Sequence, residues 1–230
     1  MATAKTNGIN IYYEIHGEGV PLLLIAGLNS DHTFFTRTGL VDALSTSHRV
    51  IVFDNRGVGK SDKPDEPYSI EMMAEDVQGL LDSLGIEQTD VLGVSLGGRI
   101  AMELAIRQPE RVRRLVLVST GPRTPKSPMR LWISLMLRLH VVRGSVPYYA
   151  AIHQRNASRS YDATSQLADI HNQTLILHGK RDHIAPLQVA EEMHSRIPGS
   201  KMVTFGGGHL FFILRREPFV EAVEEFLKDQ

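Results

Sequence analysis

Short apolar runs at Pro21–Ala26, Arg49–Phe53, Asp90–Val94, Leu115–Val118 and Thr174–Leu177 alternate with helical patterns, and this alternation constrains the chain more than any other feature. A strand that is apolar along its whole length has both faces covered, and a helix between two such strands is the crossover that a parallel pair needs. The helices read as Thr33–Leu44, Ser69–Leu84, Leu96–Gln108, Pro186–Arg196 and Pro218–Lys228, with a last strand at Met202–Phe205. Ser69 is a suitable N-cap for the periodic set Ile70, Met73, Val77, Leu80 and Leu81. At the start, Asn7-Gly8 separates Ala2–Thr6 from Ile9–His16, and Asn-Gly suits the positive φ values of a two-residue hairpin turn. The expected fold class is α/β: a mostly parallel, doubly wound sheet that opens with an antiparallel hairpin.

From Pro122 to Asn172 the alternation lapses, with Pro122, Pro125, Pro128 and Pro147 set around a helix that is apolar on nearly every side. Trp132, Met136 and Leu139 are costly to expose, so this segment is expected to pack onto the strand ends as a cap, an ordinary core helix being the alternative. The expected organisation is a core formed by 1–121 and 173–230, with a short helical cap, or lid, at 122–172. The apolar stretch Leu131–Leu137 lies between Arg130 and Arg138, well short of the ~20 apolar residues that cross a bilayer.

A chain of 230 residues can bury one full core. Its net charge is −1 and its basic residues are dispersed, so neither nucleic acid nor a membrane surface is expected as a partner. The absence of cysteine excludes disulfides, thiolate chemistry and Cys-based zinc sites, which leaves oxygen or nitrogen as the nucleophile. Met1 to Gly8 is polar with no apolar run behind a basic start, so a cytoplasmic location is the expectation.

The most specific local signal is Asp90-Val91-Leu92-Gly93-Val94-Ser95-Leu96-Gly97-Gly98, an apolar strand that runs through a serine between glycines into a helix containing Ile100, Ala101, Leu104 and Ala105. A serine hydroxyl attacks a carbonyl when it projects clear of its neighbours, close to a base and beside backbone N–H donors, and a tight strand-to-helix turn meets all three needs. Gly93 and Gly97 leave room for that turn, because a Cβ at either would meet the opposing strand or helix. The bare motif arises by chance in many proteins; its setting between strand and helix is what makes Ser95 a candidate nucleophile.

Such a serine needs a base. His209 is the best placed of ten histidines, following Gly206-Gly207-Gly208 on a loop after the last strand. The base in turn needs a carboxylate to fix its tautomer, and Asp182, just beyond the strand Thr174–His178, falls at the same end of the sheet as the turn. Asp162 and Asp169 are rivals by composition but fall in the insertion or before the strand, at the wrong end, and Asp54 precedes Ser95 in a chain order that favours serine, acid, histidine. Asp54 is expected instead to organise the turn Asn55-Arg56-Gly57-Val58-Gly59, which lacks the further glycine of a dinucleotide-binding loop. For an oxyanion, Leu96 N–H is free at the helix start, and the loop Ala26-Gly27-Leu28-Asn29 is expected to supply a second donor: Leu28 N–H first, Gly27 N–H or Asn29 as alternatives.

These residues resemble the α/β-hydrolase family, in the branch that holds small carboxylesterases, enol-lactonases such as 3-oxoadipate enol-lactonase, cofactor-free haloperoxidase-like enzymes and carbon–carbon bond hydrolases. The resemblance runs through Asp54–Asp62, Gly93–Gly98, Pro109–Val112, Leu175–Gly179 and Gly207-Gly208-His209. It implies Ser95 as nucleophile, Asp182 as acid, His209 as base, and Leu28 and Leu96 as the oxyanion amides. Two departures stand out. Ala26 takes the place of a histidine that usually supports the oxyanion loop, which implies changed loop packing. The insertion is short for this branch, which implies a shallower, more open pocket.

The expected reaction is hydrolysis of carboxylic esters of small, largely apolar substrates through an acyl-enzyme, with no cofactor and no metal, and activity that rises with pH as His209 becomes neutral. Phe34, Trp132, Met136 and Phe211 are candidates for an apolar pocket, and each could equally belong to the core. One alternative is an enol-lactonase with the same triad, with Arg130, Arg138 or Arg143 supplying positive charge for a lactone that bears a carboxylate. Another is a slow-turnover ligand sensor that signals through its cap.

Overall fold

In the computed structural model, residues 2–125 and 146–228 are described. Among them, strands β1 (Ala2–Thr6), β2 (Ile9–His16), β3 (Val20–Ile25), β4 (His48–Phe53), β5 (Thr89–Val94), β6 (Val112–Val118), β7 (Gln173–Gly179) and β8 (Lys201–Phe205) form one sheet. Its order is β1-β2-β4-β3-β5-β6-β7-β8. The β1–β2 and β2–β4 pairs are antiparallel and every later pair is parallel. Asn7 (φ 46°) and Gly8 (φ 80°) make the hairpin turn with the two positive φ values that Asn-Gly favours.

The helices are α1 (Thr33–Arg37), α2 (Leu40–Leu44), α3 (Ile70–Ser83), α4 (Leu96–Arg107), α5 (Tyr148–Ser160), α6 (Leu187–Arg196), α7 (Phe211–Leu214) and α8 (Arg216–Leu227). Successive side chains of a strand point to opposite faces. Leu23, Ile25, Ile51, Phe53 and Val91 accordingly pack with Met73, Val77, Leu80 and Leu81 of α3 and with Ile100 and Leu104 of α4. Their neighbours Leu22, Leu24, Val50, Val52, Leu92 and Val94 pack with Phe35 of α1, Leu40 and Leu44 of α2, and Phe219 and Val223 of α8. Both faces are covered, which is why the strands read as unbroken apolar runs. The Ser69 side chain caps α3 by accepting from Met72 N at 3.1 Å.

Two helices differ from the sequence pattern. The single helix expected over Thr33–Leu44 is broken at Gly39, whose φ of 71° is left-handed; Thr38 N and Gly39 N close α1 on Phe34 O and Thr36 O. The last helix starts at Arg216, which puts Pro218 in the first turn, where a missing N–H costs nothing.

The sheet order places the site. β3 has β4 on one side and β5 on the other, so the loops that leave the carboxyl ends of β3 and β5 diverge and a crevice opens between them. The turn after β4 is anchored beside it. Arg56, 1% exposed, donates Nη2 to Asp76 Oδ1 at 2.7 Å and Nε to Asp76 Oδ2, tying the turn to α3. Burial pushes the Asp76 carboxyl pKa up, the guanidinium opposing it. Arg56→Ala should therefore lower unfolding stability by about 3–5 kcal/mol in a urea titration, because it strands a buried carboxyl; a loss below about 1 kcal/mol contradicts this.

Candidate active site

Ser95 sits between β5 and α4 with φ 56° and ψ −112°, a conformation that residues with a Cβ seldom adopt and that surrounding structure must hold in place. The holding contacts are close. A Cβ on Gly93 would strike Gly97 O, one on Gly97 would strike Ile25 O, and one on Gly98 would strike the Thr120 side chain. Ser95 N donates to Val118 O at 2.9 Å, and Ser95 O accepts from Thr120 Oγ1 at 2.7 Å. The backbone is thus used up on both sides and the hydroxyl is left pointing into the crevice, half-buried where its neighbours are buried.

His209 comes from the loop after β8. Gly207, at φ 132°, accepts from Arg181 N at 2.8 Å, which docks this loop on the one after β7, and Ser119 Oγ donates to His209 O at 2.8 Å. The imidazole Nε2 lies 3.1 Å from Ser95 Oγ, and Nδ1 lies 2.8 Å from Asp182 Oδ2. Asp182 is 4% exposed. Its other oxygen, Oδ1, accepts from Ile184 N at 2.8 Å and Ala185 N at 2.9 Å, so the carboxylate has one orientation. A carboxylate on Nδ1 puts the proton there and leaves the Nε2 lone pair for the serine hydroxyl. Behind it, His178 donates Nε2–H to Ala185 O at 2.7 Å, and burial lowers its pKa, so it holds the 182–185 turn as a neutral ring.

On the opposite wall, the loop after β3 closes a turn through Ser30 N donating to Gly27 O at 3.1 Å. A Cβ on Gly27 would lie 3.4 Å from Ser95 Cβ, so loop and serine are in close approach. Leu28 and Leu96 both line the same cavity as Ser95 and His209. Among the described residues neither backbone amide donates to another group of the chain. Asp54, fully buried, fastens the far end of this loop: Oδ1 accepts from His32 N and His32 Nδ1, each at 2.7 Å, and Oδ2 accepts from Lys60 N at 2.7 Å. Asp31, His32 and Asp54 come close enough to share an ion, but these bonds already use the Asp54 carboxylate. The loop that lacks the histidine at Ala26 is thus braced by His32 and Asp54 instead.

The cavity measures about 130 Å³. Its described wall also contains Arg99, Ser119, Thr120, Thr124, Arg155, Ser158, Arg159, Ile184 and Ala185, with no carboxylate among the described lining residues. Phe211 does not reach it: the side chain is fully buried and stacks on Phe205 at 4.8 Å between ring centres, on the side of α8. Phe34 also faces that layer, edge-on to Phe35 and Phe212. Trp132 and Met136, with Arg130, Arg138 and Arg143, lie outside the described residues. Sequence reasoning passed over α5, whose Arg155, Ser158 and Arg159 form part of the wall, and Arg99, whose Nη1 donates to Thr124 Oγ1 at 2.7 Å and Ser158 Oγ at 2.6 Å. The one signal available for Arg99 was its place a single helical turn after Ser95.

Among known proteins, 2-hydroxymuconate semialdehyde hydrolase of Pseudomonas putida is 34% identical over 250 aligned positions, covering 93% of this chain and 89% of the relative. The solved esterase of Exiguobacterium antarcticum superposes with a TM-score of 0.87 at 26% identity, covering 99% of each chain. The enol-lactonase of Burkholderia xenovorans LB400 gives 0.86 at 26% identity, covering 99% of this chain and 100% of its own. The family model for the α/β hydrolase fold matches residues 20–141 and 134–215. With the doubly wound sheet and the Ser95 turn in place at its crevice, the chain belongs to the α/β hydrolase fold family and is a hydrolase.

Proposed function

We propose that the chain is a serine hydrolase of carboxylic esters of small substrates, working through an acyl-enzyme on Ser95. The observation that carries this is the hydrogen-bonded chain from Ser95 Oγ to His209 Nε2 (3.1 Å) and from His209 Nδ1 to Asp182 Oδ2 (2.8 Å) at the floor of the cavity. As Ser95 Oγ attacks the ester carbonyl, His209 Nε2 takes its proton and the Asp182 carboxylate stabilises the imidazolium. The carbonyl oxygen gains negative charge and is held by the Leu28 and Leu96 amides, which carry no competing bond among the described residues. Collapse breaks the ester C–O bond, and His209 hands the proton to the departing alcohol. Water enters, His209 removes its proton as it attacks the acyl carbon, and the second collapse frees the acid and returns the proton to Ser95.

A second reading has its own support. Arg155 and Arg159 stand in the cavity wall, and a substrate that carries a carboxylate gains from a guanidinium there, whereas that of Arg99 is taken up by Gly121 O, Arg123 O, Thr124 and Ser158. That favours an enol-lactone, a cyclic ester cleaved by the same steps, over a wholly apolar ester. The two are separated by comparing kcat/KM for p-nitrophenyl acetate, butyrate and octanoate with that for an enol-lactone bearing a carboxylate. Among the neutral esters, the dependence on chain length reads the depth of the pocket. A kcat/KM for the anionic lactone more than about tenfold above the best neutral ester, about 1.4 kcal/mol of transition-state binding, assigns the lactonase; the reverse order assigns the esterase.

A further inference from the structure

Resting on the serine-hydrolase reading, we infer that Gln154 of α5 is a positioning residue that sets the oxyanion amide of Leu28. Gln154 is 1% exposed and both ends of its amide are engaged. Its Oε1 accepts from Asn29 N at 3.0 Å, and its Nε2 donates to Arg56 O at 2.8 Å. Asn29 sits at φ 58°, a left-handed conformation that asparagine tolerates better than most residues with a side chain. The Asn29 N–H belongs to the peptide unit that follows Leu28 and is separated from the Leu28 N–H only by the Leu28 φ and ψ, so a bond that holds Asn29 N restrains the direction of the Leu28 N–H. At the other end, Arg56 is itself locked by Asp76, which gives the strut a rigid base. The same helix places Arg155 and Ser158 in the cavity wall. α5 therefore lines the cavity with one set of side chains and holds the loop after β3 with another.

A misplacement of about 1 Å at a reacting centre is worth up to about 100-fold in rate. Gln154→Met, nearly the same volume without either hydrogen bond, should lower kcat for p-nitrophenyl butyrate about 10–100-fold with KM within about twofold. Its affinity for an alkyl boronic acid, which forms a tetrahedral adduct on Ser95, should fall by the same factor. Gln154→Glu keeps the acceptor for Asn29 N and, with burial holding its carboxyl protonated, a donor toward Arg56 O, so it should recover most of the loss in both. A purely structural role would instead lower thermal stability and leave kcat per folded molecule and boronate affinity untouched, and that result overturns the inference. Equal losses in the Met and Glu variants overturn it as well. Gln154→Leu is made in parallel, and wild-type kcat in whichever of the Met and Leu variants folds is decisive against it. Failure of the underlying reading has a different signature: Ser95→Ala would then match wild type, whatever Gln154 does.

Discussion

Ser95→Ala is expected to lower kcat for ester hydrolysis by about 10⁶-fold, the largest single effect in the molecule. On the proposed mechanism the substitution removes the atom that forms the acyl bond, and it leaves the other contacts of the site standing. Ser95 N and Ser95 O stay bonded to Val118 and Thr120, and the side chain makes one bond, to His209. Folding should therefore change by no more than about 1 kcal/mol, the worth of one partly exposed hydrogen bond. If, as proposed, the Leu28 and Leu96 amides hold the oxyanion, they still do so when water attacks directly, which sets a floor about 10³–10⁴-fold above the uncatalysed rate. Steady-state turnover of p-nitrophenyl butyrate by the wild type and the variant, beside their melting curves, tests both parts. An active variant, or one that is inactive because it is unfolded, contradicts the prediction.

Asp182→Asn is expected to lower kcat by about 10⁴-fold with little change in KM, and the geometry says why. Asp182 Oδ1 accepts from two backbone amides, Ile184 N and Ala185 N. An asparagine amide must put its oxygen there, since its NH₂ would face two donors. The NH₂ is then directed at His209 Nδ1, now 2.8 Å from a donor instead of an acceptor. The imidazole is driven to the tautomer with its proton on Nε2, facing Ser95 Oγ, and the base is lost. A lowered rate whose residual part rises with pH in parallel with hydroxide shows that specific base has replaced His209; a variant within tenfold of wild type shows that Asp182 does not set the tautomer.

The fold and the hydrogen-bonded triad were legible because each rests on a local pattern. Strands covered on both faces must be apolar throughout, and the Ser95 turn needs glycine at 93 and 97 because a Cβ at either meets backbone. The break at Gly39 was hidden because a single glycine within a helical pattern does not reveal the sign of its φ. The pocket residues were hidden for a different reason. Phe211 follows His209 by two positions, yet the start of α7 turns it away from the crevice and onto Phe205. Composition does not encode that turn. Gln154 meets Asn29 across 125 residues and Arg56 across 98, so only the folded chain brings the three together. The same holds for Arg99, whose partners Thr124 and Ser158 come from separate segments.

The proposed reaction runs through a covalent acyl group on Ser95. Mixing the protein with p-nitrophenyl acetate, quenching with acid within the first turnover and locating the acetyl group by peptide mass spectrometry tests it directly. A burst of nitrophenol close to one equivalent per active site is expected, with the acetyl group on the peptide that contains Ser95 and none in Ser95→Ala. Turnover with no burst and no adduct, or an acetyl group carried by another residue, contradicts it.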